Sequence, residues 1–220
     1  MPITSPPGSL RLPSRLGPRE QLRAGRLGHR LPQLLIGLIG YGASVMMLVQ
    51  SGLGAASWTV LSEGVSAVAG ISLGWATNLI ALTVMFAWIP IRELPGLGTL
   101  LNVCLVGFAA DATALVLPPA DSLPVQLAYL FGGVLALSFF DALYLGSQFG
   151  SGPRDGIMTG LVRVTGRPIA VVRTVIEVLV ATSGWLLGGT LGLGTVVIAL
   201  SMGPLVGFFL PRVTVRLAAR

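Results

Sequence analysis

The chain has 220 residues, 53% of them hydrophobic and 10% charged, with a mean hydropathy of +0.85. Apolar runs of about twenty residues recur, each long enough to cross the hydrocarbon core as a helix, so a membrane protein is expected rather than a soluble domain. The net charge of +6 comes from arginine alone, and nearly all the arginines lie outside the apolar runs. That placement points to membrane orientation and excludes a nucleic-acid partner as the reason for the basic balance.

Residues 1–30 carry Pro, Gly, Ser and six arginines (Arg11, Arg15, Arg19, Arg23, Arg26, Arg30), the composition of a disordered basic tail. The first span is expected over 31–50. A turn and a short amphipathic helix holding Glu63 occupy 52–70. Spans two and three follow at 72–91 and 100–117, and Pro118, Pro119, Asp121 and Pro124 then break the chain. Span four covers 125–145 and leads into F-G-S-G-P-R-D-G, Phe149 to Gly156. There Gly150 and Gly152 permit a sharp turn, Pro153 suits the first position of a short helix, and Asp155 sits in its first turn, where the helix dipole favours a carboxylate. Spans five and six are expected at 168–187 and 196–210, before a basic tail over 212–220 with Arg212, Arg216 and Arg220.

Shifting the chain by 96 residues superimposes its landmarks. Gly37 meets Gly133, Gly54 meets Gly150, Gly64 meets Gly160, and Gly70 meets Gly166. Gly96-Leu97-Gly98-Thr99 meets the identical Gly192-Leu193-Gly194-Thr195, and Gly107 meets Gly203. The expected fold is therefore an all-α membrane protein: six transmembrane helices as two inverted three-helix repeats, 31–117 and 125–211, each with a short re-entrant or interfacial helix. Three crossings per copy force the inversion. With both termini cytoplasmic, every arginine outside a span falls on one side, as the positive-inside rule requires.

Ionisable residues within the spans are Asp111, Asp141, Arg173 and Glu177, and charges at that depth face partners or a cavity. Arg173 and Glu177 are spaced to pair on one helix face, either locking helix packing or lining a cavity with Arg154 and Asp155. Asp111 and Asp141 lie toward span ends and read as interfacial. The expected substrate-binding set is Gly152, Pro153, Arg154, Asp155, Arg173 and Glu177. The copies differ here, because Ser57, Trp58 and Thr59 stand where the second copy has Pro153, Arg154 and Asp155. The lone His29 and lone Cys104 allow no His/Cys metal cluster, and no catalytic residue, cofactor or enzyme activity is expected. Cys104 reads as a small core residue.

G-P-R-D-G-I-M (Gly152 to Met158), G-R-P-I-A-V-V-R-T-V-I-E (Gly166 to Glu177), G-W-L-L-G-G (Gly184 to Gly189), G-L-G-T and the Gly203-Pro204 pair resemble the YczE-type bacterial membrane proteins, a group placed near the YyaS and YitT proteins. The resemblance implies a multi-pass protein of the bacterial cytoplasmic (inner) membrane. The leading expectation is a transporter-like protein for a small anionic or zwitterionic ligand. The alternative is a non-transporting binding or accessory subunit that serves a membrane partner.

Overall fold

A computed structural model describes residue 21 and residues 25–215, and among these every regular element is a helix. In chain order they are α1 Leu27–Gln50, α2 Ser57–Ala69, α3 Leu73–Phe86, α4 Trp88–Ile91, α5 Leu97–Ala114, α6 Leu123–Gly146, α7 Pro153–Thr165, α8 Ile169–Leu186 and α9 Leu193–Val213. Six of these segments are long and apolar enough to cross a membrane: α1, α3 with α4, α5, α6, α8 and α9. The chain is thus a multi-pass helical membrane protein, with α2 and α7 as short helices outside the six spans.

The helix ends follow from local chemistry. Pro90 has no N–H to give the Phe86 carbonyl, and the second span breaks there into α3 and α4. Glycine in the left-handed region stops α2 and α7 alike, Gly70 and Gly166 both at φ +65°. The Thr99 and Thr195 hydroxyls accept from the N–H of Gly96 (3.1 Å) and Gly192 (3.3 Å), capping α5 and α9.

These features recur at the offset read from the sequence. Helix starts at 27, 57, 73 and 97 have counterparts at 123, 153, 169 and 193. Contacts recur in exchanged form. The Gly98 N–H donates to the Phe149 carbonyl (2.8 Å), and the Gly194 N–H to the Leu53 carbonyl (2.7 Å). Gly37 packs against the Tyr144 backbone, where no side chain would fit, and Gly133 against the Leu48 side chain.

The core lies where α1 crosses α6. Leu34, Leu38, Tyr41, Val45 and Leu48 form one stripe, facing Leu130, Val134, Leu137 and Tyr144. Helix α5 packs on α1, and α9 on α6. Beyond them the two halves diverge. α3 is sealed to α5: Gly74 and Gly107 bring their backbones together, Asp111 accepts from the Gly74 N–H (2.8 Å) and the Ser72 hydroxyl, and Asn78 bonds the Cys104 carbonyl and the Gly107 N–H. The corresponding helices α8 and α9 make no such seam. α8 leans instead on α2 and α7, and Gly203 and Gly207 face open space.

Two expectations are corrected. The first span begins at Leu27, so Arg30 belongs to a helix and is fully buried. The tail reading otherwise falls on residues outside those described. Cys104 is exposed on α5, because its carbonyl rather than its thiol faces α3. Asp111, toward the end of its span, caps the start of α3.

Candidate functional site

The turn between α6 and α7 is held on every side. The Arg30 guanidinium donates to the carbonyls of Ser147 (2.9 Å), Gln148 (2.9 Å), Gln21 (2.8 Å) and Gly25 (3.2 Å), and lies 4.2 Å over the Phe149 ring. A cation at the end of α6 satisfies carbonyls that have no partner within the helix. Gly150 at φ +101° lets the chain pass against Gly96, where a side chain at 96 would collide with the Phe149 carbonyl. The Thr99 hydroxyl donates to the Ser151 carbonyl (2.7 Å), and the Gly152 N–H donates to the Tyr144 hydroxyl (2.7 Å). The turn therefore delivers the start of α7 to a fixed place beside α1 and α6.

From that start, Trp88 donates its indole N–H to the Pro153 carbonyl (3.0 Å) and lays its ring on Gly156. Arg154 reaches the Tyr41 hydroxyl (3.3 Å) and stands 5.5 Å over the Trp58 ring. Trp58 is the counterpart of Arg154 at the 96-residue offset, so the start of one short helix reaches the start of the other. Asp155 accepts from the Tyr144 hydroxyl at 3.5 Å. Burial raises the Asp155 carboxyl above its ordinary pKa, against the pull of Arg154, Arg173 and the Tyr144 hydroxyl.

Arg173 and Glu177 on α8 face the same region. Arg173 acts electrostatically on both Asp155 and Asp141, and Glu177 on Tyr41. The structure thus gathers five charged side chains from α6, α7 and α8: Asp141, Arg154, Asp155, Arg173 and Glu177. Among the described residues none of the five is in an ion pair; the pair there is Arg163–Glu93 at 3.2 Å. The direct Arg173–Glu177 pairing envisaged from their spacing is not made. Arg173 is exposed, and the other four are half-buried, although all five lie at or inside the membrane-type bundle.

Asp141, Tyr41, Tyr144 and Trp58 were not in the expected site. Asp141 occupies the place of Val45 in the buried stripe, continuing the run 130, 134, 137 on the core face of α6. That stripe position, rather than distance from the helix end, was the signal that could have found it. Gly152 and Pro153 are buried and shape the turn, with the Gly152 N–H already bonded to Tyr144. No group of His, Cys, Asp and Glu among the described residues is arranged to hold a metal ion.

Residues 28–211 match a family described as a family of unknown function, DUF6198. An uncharacterized protein of Haemophilus influenzae is 41% identical over 138 residues, 63% of this chain and 63% of that protein. The uncharacterized membrane protein YczE of Bacillus subtilis is 30% identical over 144 residues, 65% of this chain and 67% of that protein. The chain therefore spans less than two thirds of the length of the Haemophilus relative. No solved structure matches.

Proposed function

We propose, on the premise that the chain belongs to the DUF6198 family and is a multi-pass membrane protein of YczE type, that it binds a small zwitterionic molecule between its halves and carries it across the bacterial inner membrane. The observation that carries this reading is the set of five charged side chains, partly open and unpaired, inside a bundle of apolar spans. Charges at such depth are costly unless they meet partners, water or a ligand. Three carboxylates and two guanidinium groups suit a molecule bearing both an amine and an acid. Asp141 turns the balance away from a purely anionic ligand. The rings of Tyr41, Tyr144 and Trp58 add surfaces that accept apolar or cationic parts.

The halves are two inverted copies in this reading, and α2 and α7 are re-entrant helices whose starts meet near the midplane. The exchanged bonds of Gly98 with Phe149 and of Gly194 with Leu53 support a two-fold relation. One end of the bundle brings together Arg30 with Gln148, Gln33 with Val213, and Arg163 with Glu93; the other joins Gln50 to Leu117 and Glu63 to Thr190. The arginine-bearing end is assigned to the cytoplasm, with both termini there. Broken elements meeting at the middle of inverted repeats are a recurrent design for substrate sites.

A thermal-shift screen of purified protein against amino acids, betaines and other zwitterions tests the reading, because a ligand for the folded state raises the apparent melting temperature. Asp141→Asn and Arg173→Gln should each abolish the shift given by a hit. Uptake of that hit into proteoliposomes then separates a transporter from a binding subunit. A hit whose shift survives both substitutions removes these residues from the site.

A further inference from the structure

The difference between the α3–α5 seam and the α8–α9 gap bears on how the charged site opens. At the 96-residue offset, Ser72, Gly74, Asn78 and Asp111 correspond to Pro168, Ala170, Thr174 and Gly207, while Gly107 corresponds to Gly203. Pro168 and Gly207 thus lack the side-chain groups with which Ser72 and Asp111 tie α3 to α5, and the shorter Thr174 stands in place of Asn78. The Ala170 methyl adds bulk where Gly74 lets the backbones touch. What remains is the shape: small residues on α9 at 203 and 207, facing nothing, and a neighbouring helix of matching length. Such stripes allow close helix approach in lipid, where packing rather than hydrophobicity drives association. A seam built from packing alone is weak, and therefore reversible.

A second observation lies across the gap. Arg173 is on α8 and Asp141 is on α6, which packs with α9. Val215 donates its N–H to the Gly146 carbonyl (2.9 Å), and Gly194 lies against Leu130, so α6 and α9 run side by side in the same direction. Asp141 is consequently near the level of Gly207; Arg173, in the second turn of α8, corresponds at the 96-residue offset to Thr77, next to the Asn78 that bonds the Gly107 N–H, so a closed pair would bring Arg173 near Gly203. Asp141 feels Asp155 and Arg154 more strongly than it feels Arg173, and it forms no ion pair with either arginine as they stand.

We propose that α8 closes onto α9 as α3 is closed onto α5, and that an ion pair between Asp141 and Arg173 latches the closed form. Closure covers the Gly203–Gly207 stripe and shuts the charged site; the structure described is the open form. The other charged groups facing the latch are Asp155 and Arg154 on α7 and Glu177 on α8. The inference deepens the ligand-site reading and rests on it for its purpose. Its test reads geometry without ligand, so failure of closure leaves a ligand hit standing, and absence of a hit leaves closure standing.

Cysteines at Thr174 and Gly203 in a Cys104→Ser background provide the test. Their counterparts touch: an added Cβ at Gly107 would lie 2.6 Å from the Asn78 side-chain carbon, whereas Gly203 has nothing within 4 Å. Oxidation in native membranes should form an intramolecular disulfide, seen as loss of maleimide labelling well above the single-cysteine controls. Asp141→Asn should lower the yield several-fold, and exchanging the charges (Asp141→Arg with Arg173→Asp) should restore it. A yield no higher than the controls, or one unchanged by Asp141→Asn, overturns the proposal. If those variants are not monodisperse, spin labels at Val178→Cys and Leu200→Cys, both exposed positions, decide by pulsed electron resonance. Two distance populations are expected, and a single long one overturns closure.

Discussion

Arg30→Met should be among the most damaging single substitutions outside the charged site. Arg30 is fully buried and donates to four carbonyls, two of them at the end of α6. Methionine keeps much of the volume and the contact with Phe149 but supplies no donor. A buried polar group left unpaired costs about 1–3 kcal/mol. The four carbonyls do not each cost the full amount, because burying a guanidinium has its own cost, which methionine avoids. A net loss of about 3 kcal/mol follows, which for a chain of this size lowers the midpoint by about 6–12 °C. The assay is the apparent melting temperature in detergent by fluorescence-detected size exclusion, with exposed Arg212→Met as control. Arg30→Lys should fall between, since one compact ammonium cannot serve carbonyls arriving from two directions. A midpoint for Arg30→Met within about 2 °C of the unsubstituted protein, the range of ordinary surface changes, would refute the clamp.

Tyr144→Phe removes the oxygen that receives the Gly152 N–H and should cost about 1–3 kcal/mol, read as a lower midpoint with weaker ligand binding. Gly156→Ala forces a methyl to within 1.9 Å of the Trp88 ring, so a loss of about 1–3 kcal/mol and a shifted tryptophan emission are expected. Glu63 on α2 has its carboxyl raised from 4.5 by burial, against a bond from the Thr190 N–H. The folded state then holds its proton more tightly than the unfolded one. Stability contributed by Glu63 is present below pH 4.5 and lost as pH rises through the folded value. Glu63→Gln should flatten that part of the melting-temperature profile.

The six spans were legible because apolar length and glycine punctuation are local properties. The ends of the two short helices were legible, since Gly70 and Gly166 stop them by backbone geometry alone. The charged site was half legible. Arg154, Asp155, Arg173 and Glu177 are conspicuous as charges in apolar surroundings, but their partners depend on how α6, α7 and α8 cross. Asp141 was left out of the expected site because distance from a helix end was weighed above its position in the core stripe. Arg30 was read as part of a tail because the sequence around it is basic and broken by proline. Only the carbonyls of the α6 turn, far along the chain, show why it is buried. The open gap at α9 could not be read at all, since glycines at 203 and 207 suit a packed helix as well as a bare one.

The exchanged bonds of Gly98 and Gly194 have a consequence for biogenesis. Each half begins a span by taking a carbonyl from the other half's turn, Phe149 in one case and Leu53 in the other. As the chain leaves the ribosome, α1 and α2 are made and inserted long before Gly194 exists. The Leu53 carbonyl and the bend at Gly54 must wait, unsealed, until the last span arrives. Insertion and completion are therefore separate events, and a nascent chain halted after α6 is in the membrane but has neither clasp closed.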